Sequence, residues 1–154
     1  MNVVDVATHG VRASRLRVGL AALCRRALAA AGIDGWDLSV VLTDDAEIRG
    51  LNARYRGKDR ATDVLSFSQS APAVRGRSPV AAVHGRAAGD IVISVETLRR
   101  NAAERGIDEH EELTRLAVHG ILHLDGMDHG RGRGRAMLER QRRVLAGLAG
   151  GGAS

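Results

Sequence analysis

Aromatic side chains are nearly absent from this chain: Trp36, Tyr55 and Phe67 are the only three. The core must be filled by Ala, Val, Leu and Ile. A recognition surface built on rows of rings stacking against nucleobases is excluded. Lysine is scarcer still, since of 23 basic side chains only Lys58 is a lysine. Cys24 is the single cysteine. No intrachain disulfide can form, and its apolar helical setting reads as that of a small core residue. Long apolar runs are missing too. Gly19 to Gly32 is cut by Arg25 and Arg26 and is too short to span a bilayer. Met1 to Gly10 has neither a basic start nor a long apolar run, so no secretory signal is read there. A reduced, cytoplasmic setting with no membrane partner is the expectation.

What remains is the composition of one globular domain. The chain has 154 residues, 44% of them hydrophobic, which is enough for a single core. We expect one domain over residues 1–148 and a disordered tail over 149–154. The formal net charge is +5, carried by arginine. Arginine grips phosphate through a planar fork, which is compatible with a nucleic-acid partner. A GC-rich coding sequence would give the same bias, and composition alone does not choose between them.

Hydrophobic spacing gives the elements. Asn2 to Ala7 reads as a short strand. Leu16, Leu20, Leu23, Ala27 and Ala31 recur at helical spacing, predicting one helix over 14–31. Trp36 to Leu42 and Thr62 to Phe67 read as strands. Asp44 with Glu47 makes a capping-box-like start for a helix running to Tyr55. Gln69 to Ala88 has no clear period and reads as a long loop. Asp90 to Ser94 is a strand, and Ser94 caps a helix over 95–105. Asp108 with Glu111 starts the next helix, and a last one covers 135–148. Strands and helices mix without strict alternation. The expected class is α+β, a small mixed sheet covered by helices.

The richest stretch is His119-Gly120-Ile121-Leu122-His123-Leu124-Asp125-Gly126-Met127-Asp128-His129, with histidines spaced H-x3-H-x5-H. On a helix the first two share one face. Gly126 is expected just past the helix end, in the left-handed conformation that turns His129 back toward them. Three imidazoles suit Zn2+ and leave a fourth position open. The spacing matches the metzincin proteases except at one residue. Gly120 stands where those enzymes carry their glutamate base, which argues against peptide hydrolysis by that route.

The same stretch resembles the H-G-x-L-H-L-x-G-x-D-H signature of the YbeY family of bacterial endoribonucleases. Asn52-Ala53-Arg54-Tyr55-Arg56 with Thr62-Asp63-Val64-Leu65-Ser66-Phe67, and Gly89-Asp90-Ile91-Val92-Ile93-Ser94, resemble two further stretches of that family. The resemblance implies a zinc held by His119, His123 and His129 at a helix end, and a functional Arg56 near the metal cleft. It implies a single-strand-specific endoribonuclease that matures the 3′ end of small-subunit ribosomal RNA and serves ribosome quality control. Ribosomal particles would be its partners, with ribosomal proteins or a GTPase among them, and DNA is not expected. Ala61 and Ser68 stand where the family carries prolines. Met127 replaces the usual tyrosine, and the Gly-Arg run over 130–135 replaces acidic residues.

Beside the motif, Arg56, Lys58 and Arg60 form a basic cluster between a helix and a strand, either a phosphate clamp or a solvated loop. Arg56 is expected to serve phosphate binding rather than folding. Asp128 precedes the third histidine. It could orient a ligand, act as the base that Gly120 is not, or form the turn. Asp63 and Asp90 read as turn or strand-end hydrogen-bonders, and His9, His84 and His110 as surface residues. Arg131, Arg133 and Arg135 either track an RNA backbone or belong to a solvated linker. An alternative function is an RNA-binding ribosome-assembly factor with a mainly structural zinc.

Overall fold

The computed structural model describes residues 1–68, 87–126 and 134–151. In chain order the elements are β1 (Val3–Thr8), α1 (Ser14–Arg17), α2 (Leu20–Ala30), β2 (Asp37–Thr43), α3 (Asp45–Arg56), β3 (Val64–Ser68), β4 (Ala87–Ser94), α4 (Val95–Arg105), α5 (Glu109–Gly126) and α6 (Arg135–Gly151). The sheet runs β1-β2-β4-β3. β1 pairs with β2 and β2 with β4 in parallel, while β3 runs antiparallel on the edge of β4. This is the mixed α+β arrangement that the pattern implied.

Strand alternation sorts the side chains into two layers. Leu38, Val40 and Leu42 of β2 and Ile91 and Ile93 of β4 face a core shared with α2, α5 and α6. Val41, Val92, Leu65 and Phe67 point the other way, onto Ile48 of α3 and half-buried Leu51, Tyr55 and Ala61. All seven residues of β2 are buried, as expected for a central strand covered on both faces. Phe67 and Tyr55 meet edge to face with centroids 5.5 Å apart, so two of the three aromatics hold α3 against β3.

The expected caps form. Glu47 N donates to Asp44 Oδ1 at 2.9 Å, Glu111 N to Asp108 Oδ1 at 2.8 Å, and Thr97 N to Ser94 Oγ at 3.3 Å. Each satisfies an N–H that the helix leaves unpaired. Asp63 behaves as a strand-end hydrogen-bonder, accepting from Val64 N at 2.8 Å and from Asn101 Nδ2 at 3.3 Å. Asn101 also reaches the buried Glu112 of α5, which accepts from Arg115 Nε at 3.1 Å. These bonds link the start of β3, α4 and α5 and set where α5 lies.

Three expectations change. The single helix over 14–31 is broken: Val18 is extended, with ψ 125°, and Gly19 adopts φ 77° and caps α2 as a separate helix. The strand expected at Asp90 begins at Ala87, so the long loop is shorter at that end, and residues 69–86 lie outside the described part. The last helix continues to Gly151, and residues 152–154 of the expected tail also lie outside it.

Candidate metal centre

α5 carries its apolar stripe, Leu113, Leu116, Ala117, Gly120, Ile121 and Leu124, into the core. His119 and His123 ride beside that stripe, one turn apart, half-buried and exposed respectively. Their rings have centroids 5.8 Å apart and planes inclined by 33°. Two imidazoles on one tetrahedral zinc, with Zn–N near 2.0–2.1 Å, would have centroids roughly 5 Å apart. The observed separation of the two rings is close to that spacing.

His119 is held from behind. Its Nδ1 lies 3.1 Å from Oε1 of Gln141 on α6, a side chain only 8% exposed. α6 is fixed there by its neighbour Arg140, which donates to Asp125 Oδ2 at 2.6 Å and to the Ala31 carbonyl at 3.2 Å. Gln141 was not singled out from the sequence, yet it leaves a signal. It interrupts the apolar stripe that Met137, Val144, Leu145 and Leu148 turn toward the core.

Gly120 is explained by packing. A Cβ there would stand 3.0 Å from two side-chain carbons of Ile91, so the missing side chain lets α5 lie close on β4. Its carbonyl accepts from Ser66 Oγ at 3.1 Å, tying the helix to edge strand β3 one residue after His119. Gly126 departs from expectation. It is the last residue of α5, and the left-handed backbone foreseen there is not adopted. Helical geometry is retained there, and a Cβ would come 3.3 Å from Met137 of α6.

Arg56 ends α3 and reaches the same strand. Its guanidinium donates to the Ser66 carbonyl and lies over the Phe67 ring, 5.4 Å from its centre. Ser66 thus takes Arg56 on its backbone oxygen and α5 on its hydroxyl. The loop after α3 is pinned by buried Asn52, quoted in the family-like stretch but given no role there, whose Nδ2 donates to the Arg60 carbonyl at 2.9 Å. Lys58 and Arg60 are exposed on that loop.

His129 and Asp128 lie outside the described residues, as do His84, Arg131 and Arg133, while Arg135 is exposed at the start of α6. Among the described residues no group of three or more His, Cys, Asp or Glu could hold a metal ion. His110 is exposed, whereas His9 is half-buried, its Nδ1 3.5 Å from Glu47 Oε1.

Residues 6–149 match the family described as endoribonuclease YbeY. The chain belongs to the YbeY family. Proteins named endoribonuclease YbeY from Rhodopseudomonas palustris, Treponema pallidum and Aquifex aeolicus are 45%, 46% and 47% identical to it over 73%, 74% and 69% of its length. The matched stretch spans 58%, 69% and 65% of those YbeY relatives. A Thermotoga maritima protein solved in solution superimposes with a TM-score of 0.63 at 27% identity, covering 98% of this chain and 92% of that one. No helix among the described residues is long and apolar enough to cross a membrane.

Proposed function

We propose that this protein is a zinc-dependent endoribonuclease acting on single-stranded ribosomal RNA, at the 3′ end of the small-subunit RNA, in the cytoplasm and on ribosomal particles. The observation that carries the reading is the convergence of His119 and His123 on one face of α5 in a chain of the YbeY family. His119, His123 and His129 would hold the zinc. When bound, the metal supplies positive charge that polarises a phosphate oxygen and activates water.

The remaining chemistry falls to side chains. Arg56 binds the phosphate: a guanidinium has five N–H donors, and the Ser66 carbonyl engages one of them. Lys58 and Arg60 add positive charge along the RNA backbone, so affinity falls steeply as salt rises. Asp128 orients a histidine or takes the proton from the attacking group. Ribosomal proteins or a GTPase would serve as partners, and quality control of ribosomes as its wider role.

The test is cleavage of structured ribosomal RNA by zinc-replete protein beside His123→Ala. Cleavage that depends on His123 and on metal supports the reading. Cleavage that survives loss of both would point to a contaminating nuclease.

A second reading is favoured by Gly120. The position next to the first histidine is packed on Ile91 and carries no carboxylate to activate water. An RNA-binding assembly factor with a structural zinc would then bind ribosomal particles without any metal-dependent cleavage.

A further inference from the structure

We infer that Gln141 is a positioning residue of the metal centre. It fixes the tautomer and ring orientation of His119, so that Nε2 presents its lone pair to the metal. The inference rests on the zinc reading above and adds a residue from a different helix to it.

An amide oxygen only accepts hydrogen bonds. With Oε1 of Gln141 3.1 Å from Nδ1 of His119, the proton of a neutral ring sits on Nδ1. Nε2 is then the unprotonated nitrogen, the one able to ligate. The reverse pairing, with the amide NH2 donating to Nδ1, would put the proton on Nε2 and block it. A histidine that binds metal commonly donates its other ring N–H to an oxygen, and losing that partner costs about 10–100-fold in metal affinity.

The surroundings favour this role over simple core filling. Gln141 is the buried polar residue in a stripe otherwise made of Met137, Val144, Leu145 and Leu148. A buried amide is costly unless bonded, so its bond to His119 fixes its own rotamer as well. The Arg140–Asp125 and Arg140–Ala31 bonds hold the adjacent residue of α6 against α5 and α2. The ligand's partner is therefore carried on a docked helix rather than on a loop, which limits how far His119 can swing.

Zinc affinity of the full chain, measured by competition with a chelating indicator, tests this with Gln141→Leu, Gln141→Glu and His123→Ala. Gln141→Leu should bind zinc about 10–100-fold more weakly than the parent, whereas Gln141→Glu, which keeps an acceptor oxygen, should restore affinity to the parent level or better. Long-range 1H–15N spectra of the metal-free parent, at a pH where the ring is neutral, should show the His119 proton on Nδ1. Unchanged zinc affinity in Gln141→Leu, or a parent His119 protonated on Nε2, would overturn the inference while leaving the zinc site standing. A parent that binds zinc no better than His123→Ala would overturn the zinc reading itself. If Gln141→Leu fails to fold, the parent tautomer and the affinity of Gln141→Glu decide: Gln141→Glu binding far more weakly than the parent counts against.

Discussion

Gly120 and Ile91 touch where α5 crosses β4, and a single added carbon at Gly120 would stand 3.0 Å from both Cδ1 and Cγ2 of the isoleucine. That contact sets the height of His119 above the sheet. Gly120→Ala gains about 1 kcal/mol of helix propensity but forces a stiff β-branched neighbour aside, an overpacking cost of about 1–3 kcal/mol. The expected result of urea denaturation is net destabilisation on the order of 1 kcal/mol. A gain in stability would show that Ile91 yields freely and that the helix height is not set here.

Gly89→Ala should be far worse. Gly89 has φ +152°, and its Cβ would fall 2.1 Å from the carbonyl oxygen of Phe67, which is backbone and cannot step aside. Edge strand β3 would have to leave β4, taking the Ser66 bond to α5 with it. Loss of amide-exchange protection across residues 64–68, or failure to fold, is the expected outcome. Parent-like protection would refute it.

Much of this architecture was legible because it is local. The capping residues Asp44, Ser94 and Asp108 announce their helices, and the Val- and Leu-rich run from Trp36 to Leu42 announces a strand, though not that polar Asp37, Ser39 and Thr43 would be buried with the rest of it. The break at Gly19 was not legible, since Leu16 and Leu20 keep helical spacing straight across it. The two helices are separated by backbone conformation alone, extended at Val18 and left-handed at Gly19. In the candidate site, His119, His123 and Arg56 could be picked out from motif and charge. The partners Gln141 and Ser66 could not, because their roles arise from pairings 22 and 54 residues distant in sequence. Arg56 shows the limit most clearly. The sequence casts it as a phosphate ligand with no part in folding, while in the fold it clips α3 to β3.

Acid should weaken the junction of α3 and α4 through Asp45. Burial pushes its carboxyl up, but donors from Ser94 at 2.5 Å, Thr97 at 2.6 Å and Arg100 at 2.7 Å outweigh it and hold it below the usual carboxylate range. A depressed pKa contributes stability that is present above the unfolded value, about 3.9, and is lost as pH falls through the folded value. Urea midpoints should therefore hold steady from neutral pH to about 5 and fall below about 4. In Asp45→Asn the acid-side fall should be shallower from a lower plateau. An Asp45→Asn curve parallel to the parent would mean that Asp45 does not contribute to the acid limb.

The Arg140–Asp125 pair, 2.6 Å apart and about two-thirds buried on both sides, should couple α6 to the end of α5. A double-mutant cycle with Arg140→Ala and Asp125→Ala is expected to give a coupling of about 1 kcal/mol, at the upper end for exposed pairs and below that of fully buried ones. A coupling near zero would leave the Ala31 carbonyl bond and apolar packing as what docks α6.

Arg56 should show two separable effects. Losing its bond to the Ser66 carbonyl and its contact with Phe67 should cost Arg56→Ala on the order of 1 kcal/mol, since a net hydrogen bond and an exposed cation–π contact are each worth about that or less. Arg56→Lys keeps the charge and some of the ring contact but not the planar fork. Its stability should stay closer to the parent. Under the proposed function both variants should cleave RNA much more slowly, because a lysine cannot hold a phosphate through two parallel bonds. Activity would be read at a temperature and denaturant concentration where all three proteins are fully folded. A parent-like cleavage rate in Arg56→Ala, accompanied by a large stability loss, would mean that Arg56 is only the clip between α3 and β3. Slow cleavage in Arg56→Lys at parent-like stability would place the fork itself in the reaction.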